Sequence, residues 1–158
     1  MKHALTTLLL MALCGPALAE TEPDSFIDDR SSPERVVTSF YNAIDRHEYL
    51  RAWSYHDPDD APDYPGFRDG YAETDSVALR IGEIQSEGAA GSVHSLVPVA
   101  LQATAGDGTV TVFTGCYRLT QVQPANQDMP PFRPIQIDGG EMEASDAAFD
   151  SAMGVCEP

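Results

Sequence analysis

Two hydrophobic periods follow one another along this chain, and their order limits the possible folds. Between residues 32 and 55 the apolar residues recur at helical spacing, and Ser32 followed by Pro33 is typical of a helix start. Between residues 76 and 143 apolar residues instead alternate with polar ones, which predicts half-buried β-strands. Helices followed by an antiparallel meander predict an α+β domain, with the helices packed on one face of the sheet.

The helical segment carries one apolar stripe, which is interrupted at residues 46–48. This interruption predicts either two helices joined by a tight turn or one kinked helix. Residues 57–67 contain three prolines and four aspartates and are therefore predicted to be a loop. The residues of the stripe are Val36, Val37, Phe40, Tyr41, Ile44, Tyr49, Leu50, Ala52, Trp53 and Tyr55.

The alternating part of the chain predicts a sheet of about four strands. They cover residues 76–87, 92–104, 110–122 and 132–143. Ile84 is out of phase in the first strand and suggests a bulge. Pro98 requires an edge position or a bulge in the second strand, because proline has no N–H to donate. After the last strand, Ser145 and Gly154 are typical of the two ends of a short C-terminal helix.

The amino-terminal segment, residues 1–19, has the layout of a secretory signal peptide. A basic start is followed by an apolar run, a Gly-Pro break and a small-x-small ending at Ala19. The chain is therefore expected to be periplasmic or secreted, with residues 20–31 as a flexible arm and residues 32–158 as one domain. An alternative is a lipid anchor at Cys14, although the residues before it lack the usual leucine and small residue.

The charge of the chain excludes several classes of partner. Loss of the leader leaves 139 of the 158 residues and changes the net charge from −16 to −17, because the leader holds the one lysine and no acidic residue. A chain with this much negative charge repels phosphate backbones and anionic lipids, and we therefore expect no nucleic-acid partner. No membrane insertion is expected either, since no later segment is long and apolar enough. The absence of lysine from the mature chain excludes Schiff-base chemistry.

Neither a metal nor a cofactor is predicted. Residues 56–63, His-Asp-Pro-Asp-Asp-Ala-Pro-Asp, offer oxygen donors but lack the glycine and the closing glutamate of a calcium loop. The three histidines of the mature chain, His47, His56 and His94, do not have the spacing of zinc ligands. The acidic segment is therefore interpreted as a solvated loop.

No catalytic residue can be assigned from the sequence. The chain has no Gly-x-Ser-x-Gly elbow for a serine hydrolase. Acid–base catalysis needs a carboxylate base in a dry pocket and a hydrogen-bond donor opposite it. The candidate donors are Tyr41, Tyr55 and Tyr117, and the candidate acids are Asp45, Asp69 and Asp75.

The two cysteines of the mature chain, Cys116 and Cys156, are predicted to form a disulfide. Their number is even, and the leader directs the chain to an oxidising compartment. The bond would tie the C-terminal segment to the third predicted strand. The alternative is a reactive thiol at Cys116, which Arg118 would favour from the same face of the strand.

Three stretches of the chain resemble the nuclear transport factor 2-like superfamily. They are the aromatic-rich helical segment, Gly-Ser-x-x-x-x-Val-Pro-Val at residues 91–99, and Phe-x-Gly-Cys-Tyr-x-Leu at residues 113–119. The resemblance covers residues 32–142 and implies a curved sheet wrapped around a long helix, a cone whose mouth is a ligand pocket in many members. The superfamily includes ketosteroid isomerase, scytalone dehydratase, small polyketide cyclases and non-enzymatic modules, so it implies no particular activity.

Our leading hypothesis is a non-enzymatic domain that binds a small ligand or an envelope protein through its pocket or its sheet face. One alternative is a small isomerase, dehydratase or cyclase acting on an apolar substrate. Another is a structural module that forms homodimers, since relatives often pair through their sheets. The candidate pocket residues are Tyr41, Trp53, His94 and Arg118, the last as an anion contact.

Overall fold

The structure, a computed structural model, describes residues 25–157. The predicted signal peptide and the alternative lipid-anchor cysteine lie outside these residues. The first helix, α1, covers Pro33–Asp45, and the hydroxyl of Ser32 accepts a hydrogen bond from the backbone N–H of Arg35. A turn at His47, whose φ is 56°, leads into α2, Tyr49–Trp53. The interrupted stripe therefore corresponds to two helices joined by a tight turn.

A third helix, α3, covers Tyr64–Gly70, where the sequence predicted a loop followed directly by the sheet. The carboxylate of Asp63 accepts a hydrogen bond from the backbone N–H of Gly66 and caps the helix. Pro65 stands in the first turn, where its missing N–H costs nothing. The proline and aspartate that suggested a loop are thus start signals of this helix.

The α+β prediction is confirmed, with the helices preceding a curved antiparallel sheet. The sheet has five strands rather than four, in the order β1-β3-β4-β5, with β2 also paired to β3. Their bounds are Thr74–Ile81 for β1, Gln85–Ala89 for β2, Ser92–Ala105 for β3, Val110–Val122 for β4 and Gln136–Ser145 for β5.

The extra strand arises where the alternation fails. The backbone N–H of Gly82 donates to the carbonyl of Pro98, and pairing with β3 then stops until Gln85 faces Leu96. Pro98 therefore lies opposite the break between β1 and β2. Neither of these strands is paired with β3 at this point, so the sheet does not need the N–H that proline lacks. The phase change at Ile84 marks this break.

The inner face of the sheet holds the core. Every residue of the α1 stripe is buried, and the stripe packs against inward side chains of β3, β4 and β5. Because side chains alternate along a strand, Cys116 and Arg118 face the opposite, outer side from Tyr117 and Leu119. The inward residues of the sheet include Val97, Val99, Leu101, Tyr117, Leu119 and Ile137.

The C-terminal segment forms a turn at residues 149–151 rather than the predicted helix. Its backbone groups find partners on the sheet, because Arg80 donates to the carbonyls of Phe149 and Ala152. Gly154 donates its N–H to the carbonyl of Val99. These bonds replace the ones that a helix would have supplied, so the segment lies along the strands.

The predicted disulfide between Cys116 and Cys156 is present, with the two Cα atoms 5.3 Å apart. It excludes the free reactive thiol and fastens the C-terminal segment to β4. A disulfide is compatible with a periplasmic or secreted protein. Within residues 25–157, no helix combines the length and the hydropathy needed to cross a bilayer.

The described part of the amino-terminal arm makes several hydrogen bonds with the helices. The backbone N–H of Ile27 donates to the side-chain oxygen of Asn42, and that of Asp29 donates to the hydroxyl of Ser39. These bonds explain two polar side chains buried on α1. The flexibility of residues 20–31 stays a prediction.

Candidate functional site

A cavity of about 400 Å³ lies between α1, α3 and the inner face of the sheet. Its walls are mainly aromatic and aliphatic side chains, with one face supplied by α3. Small-molecule sites typically enclose about 300–1,000 Å³ and are mostly apolar, so the cavity has the size and character of a ligand site. The lining residues are Tyr41, Gly66, Phe67, Gly70, Tyr71, Thr74, Val77, Leu101, Ala103, Phe113 and Met142.

The polar groups of this cavity are mainly tyrosine hydroxyls. The hydroxyl oxygens of Tyr41 and Tyr117 are 2.7 Å apart and buried, so one of them donates a hydrogen bond to the other. Tyr71 also belongs to the cavity wall. The three rings pack around Phe40 and Phe67, which join α1 to α3.

Burial keeps these tyrosines protonated. It raises the pKa of Tyr71 to about 12. Burial is the main cause that raises the pKa of Tyr41 well above its ordinary value, and the nearby hydroxyls of Tyr117 and Tyr71 add to this rise. The pKa of Tyr117 is also raised, mainly by burial, and the bond from Tyr41 opposes that rise. At neutral pH all three are therefore protonated phenols, and two of them, Tyr41 and Tyr71, line the cavity.

The four predicted pocket residues lie in different places. Tyr41 lines the cavity, whereas Trp53 packs edge-on against Tyr64 and donates its indole N–H to the carbonyl of Pro62. His94 is exposed on the outer face of the sheet. The structure therefore brings one of these four side chains into the cavity, and ligand contact by the others stays a prediction.

The outer-face residues His94 and Arg118 have polar neighbours. The ring of His94 shares a hydrogen bond of 2.9 Å with the hydroxyl of Thr120, which donates to Asp138. Burial raises the pKa of Asp138, and the hydrogen bond from Thr120 opposes this. Arg118 is more than half exposed and lies 3.8 Å from a carboxylate oxygen of Glu141.

A second cavity, of about 560 Å³, lies on that outer face beside the C-terminal segment. Its walls include Arg118 together with the carboxylates of Glu141, Glu143 and Glu157. Three acids surround one base, so the local charge opposes the binding of an anion to Arg118. Arg118 is consequently a poor candidate for an anion contact.

The candidate catalytic acids lie away from the apolar cavity. Asp45 accepts a hydrogen bond from the backbone N–H of Val77, and Asp69 is paired with Arg68 on the surface of α3. Asp75 lines a separate polar hollow near His47. Among residues 25–157, no group of three or more side chains is arranged to hold a metal ion.

Sequence reasoning missed most of the cavity wall. Phe67 and Tyr71 were assigned to a loop and to the approach to the sheet, because the start of α3 was not recognised. Phe113 and Met142 were expected on strands, but alternation alone does not show which strand faces come together. The cap at Asp63 was the signal that could have identified α3 and its aromatic residues.

Comparison with known proteins identifies a shared fold. No family model matches this chain, and no curated protein matches it. A solved structure from Novosphingobium aromaticivorans DSM, a "putative aromatic ring hydroxylase", superposes with a TM-score of 0.54 over 80% of this chain and 92% of that one. The two chains have the same fold. Their sequence identity is 13%, so the likeness extends to the fold alone.

Proposed function

We propose that this chain is a periplasmic or secreted, non-enzymatic domain of the nuclear transport factor 2-like superfamily that binds a small uncharged cyclic ligand. The ligand would occupy the apolar cavity between α3 and the inner face of the sheet. The observation that carries this proposal is the combination of apolar walls with protonated tyrosine hydroxyls. The resemblance in residues 32–142 and the shared fold support the assignment to the superfamily.

The cavity walls favour an apolar ring. Phe67, Tyr71 and Phe113 offer aromatic faces and edges, and Leu101 and Met142 offer flexible aliphatic surface. Burying an apolar ligand contributes about 25 cal/mol for each Å² removed from water. A ligand of one or two rings fits a space of about 400 Å³.

The tyrosine hydroxyls favour a ligand with an acceptor oxygen, such as a ketone. Of the pair formed by Tyr41 and Tyr117, Tyr41 is the one that lines the cavity, and its proton is available to a ligand when Tyr117 donates the bond between them. Tyr71 offers a second hydroxyl in the same wall. The lining residues in the described part of the chain include no arginine or histidine. An anionic ligand would therefore lose its hydration without gaining a counter-charge, which favours an uncharged one.

The same lining supports binding rather than catalysis. Isomerases and dehydratases need a base within hydrogen-bond reach of the ligand proton that they remove. Among residues 25–157, those that line the cavity include no carboxylate, imidazole or thiol. A phenol held in its protonated form donates hydrogen bonds but does not accept a proton.

Calorimetric titration with two uncharged ketones, acetophenone and cyclohexanone, tests the proposal. Gly70 lines the cavity, and a Cβ atom added there would meet no atom within 4 Å, so Gly70→Leu adds bulk to the cavity wall without a backbone clash. Gly88 on β2 is equally open and equally exposed but does not line the cavity, and Gly88→Leu is the matched control. We expect binding to be weakened at least tenfold by Gly70→Leu and unchanged by Gly88→Leu.

Two results would overturn the proposal. One is that neither ketone binds at millimolar concentration. The other is equal affinity in the Gly70→Leu variant and the native chain, which would place the ligand elsewhere. Turnover of a cyclic ketone by the native chain would contradict the non-enzymatic part and favour the isomerase alternative.

A further inference from the structure

The imidazole of His56 is an unexplained polar group beside the cavity. It follows α2 and contacts two aromatic rings that also contact each other, with its centre 5.6 Å from that of Phe40 and 5.7 Å from that of Phe67, both nearly perpendicular to it. Its Nε2 atom is buried and has no hydrogen-bond partner among residues 25–157. A buried polar atom without a partner costs stability, and a phenylalanine of similar shape would avoid that cost.

The protonation of His56 makes Nε2 an acceptor. Burial lowers the pKa of the ring, and a hydrogen bond to the backbone carbonyl of Ile137 raises it less. The ring is therefore mainly neutral at pH 7, with one nitrogen protonated and the other carrying a lone pair. We assign the proton to Nδ1, on the side of the Ile137 carbonyl, which leaves the lone pair on Nε2.

Phe67 is the residue shared by this histidine and the cavity. Its ring lines the cavity and contacts His56, Phe40 and Tyr71. It stands on α3, a seven-residue helix with no fully buried side chain. His56 itself does not line the cavity, so a ligand there can reach the imidazole only after the Phe67 ring has moved.

We infer that Nε2 of His56 accepts a hydrogen bond from a hydroxyl group of the ligand once the Phe67 ring has moved aside. This inference rests on the proposed ligand cavity and defines the ligand class further. The imidazole would face a hydroxyl group of the ligand and not a carbon-bound proton beside the ketone, so it acts here as a hydrogen-bond acceptor and not as the base that an isomerase needs. The ligand carries an acceptor oxygen for the tyrosine hydroxyls and a hydroxyl donor for His56, as in a hydroxylated aromatic ketone. A site built to pair a ligand hydroxyl discriminates against the analogue that lacks it.

The test compares acetophenone with 3- and 4-hydroxyacetophenone by calorimetry. The native chain is expected to bind one hydroxylated isomer about tenfold more tightly than acetophenone. In the His56→Phe variant, which keeps an aromatic ring against Phe40 and Phe67, the ratio of the two affinities should fall to about one. If His56→Phe retains the preference, the inference is wrong.

A second measurement uses the native chain and does not depend on the folding of a variant. With ¹⁵N-labelled histidine, the Nε2 resonance of His56 should show an unprotonated nitrogen in the free chain. It should shift toward hydrogen-bonded values on saturation with the preferred isomer. A resonance that does not move on saturation would overturn the inference.

The two proposals fail in different ways. If acetophenone binds but neither hydroxylated isomer is preferred by the native chain, the role of His56 is excluded and the cavity proposal stands. If none of the three ketones binds, both proposals are wrong.

Discussion

The hydroxyl oxygens of Tyr41 and Tyr117 lie 2.7 Å apart, although 76 residues separate them along the chain. One belongs to α1 and the other to β4, so the bond joins the helix layer to the sheet inside the core. Both rings also contact Phe40 edge-on. A polar link in this position stabilises the packing of α1 against the sheet.

Removing both partners of this bond should destabilise the chain by less than the sum of the two single removals. Tyr117→Phe leaves the Tyr41 hydroxyl without its partner, and we expect a loss of about 1–3 kcal/mol in the free energy of unfolding. The double variant Tyr41→Phe with Tyr117→Phe should lose less than the sum of the two single variants. Urea denaturation of the four chains measures the coupling.

A matched control is Tyr64→Phe on α3, whose ring packs on Trp53 near the surface. Its effect should stay within roughly 0.5 kcal/mol. Strictly additive losses in the double variant would contradict the buried bond between the two hydroxyls.

Stability should fall in alkaline solution because of the buried tyrosines. The pKa of Tyr71 is about 12 in the folded chain and 10.0 in its unperturbed state, and the pKa values of Tyr41, Tyr55 and Tyr117 are also raised. Between these values the unfolded chain has lost protons that the folded chain keeps. The stabilisation is therefore complete below pH 10 and decreases as the pH rises toward 12.

Denaturation midpoints measured from pH 9 to pH 12 test this prediction. The Tyr71→Phe variant removes one of the shifted groups and should show a shallower decline. A free energy of unfolding that is constant from pH 10 to pH 12 would show that these hydroxyls ionise equally in both states.

The disulfide should contribute about 4 kcal/mol, because Cys116 and Cys156 are 40 residues apart and the bond restricts the unfolded chain. Replacing both cysteines by alanine should lower the free energy of unfolding by about this amount. It should also expose the C-terminal segment to chymotrypsin at Phe149. Thiol titration under denaturing, non-reducing conditions checks the bond itself, and two free thiols would disprove it.

The path of the C-terminal segment depends on the absence of a side chain at Gly154. A Cβ atom at this residue would lie 1.9 Å from the carbonyl oxygen of Gly115, so Gly154→Ala must displace the segment from the sheet. We expect a loss of about 1–3 kcal/mol and faster chymotryptic cleavage of the segment.

The comparison for this variant is Gly106→Ala, where an added Cβ meets nothing within 4 Å. That change should leave stability within roughly 0.5 kcal/mol and cleavage unchanged. Equal behaviour of the two variants would mean that the segment does not pack closely on Gly115.

Local sequence patterns predicted the elements whose apolar residues form a regular stripe or alternation. The stripe of α1 is buried at each position because residues three and four apart share one face of a helix. The strand at residues 110–122 was predicted with the bounds that β4 has. Pro98 and Ile84 indicated an irregularity in the sheet, which proved to be the break between two strands.

The errors fall where local signals compete with distant partners. The segment after Ser145 has helical composition, but Arg80 and Val99 bond its backbone and Cys116 holds its end. Those partners come from other elements, so no window of the sequence around the segment contains them.

By itself, therefore, the sequence determined that helices precede an antiparallel sheet and that the two cysteines pair. These properties depend on periodicity and on cysteine count, which are local or additive. The tertiary structure alone decided that Tyr41 meets Tyr117, that α3 covers the cavity and that the Nε2 atom of His56 is left without a partner. Such contacts depend on which faces pack together, and packing joins residues that are far apart in the chain.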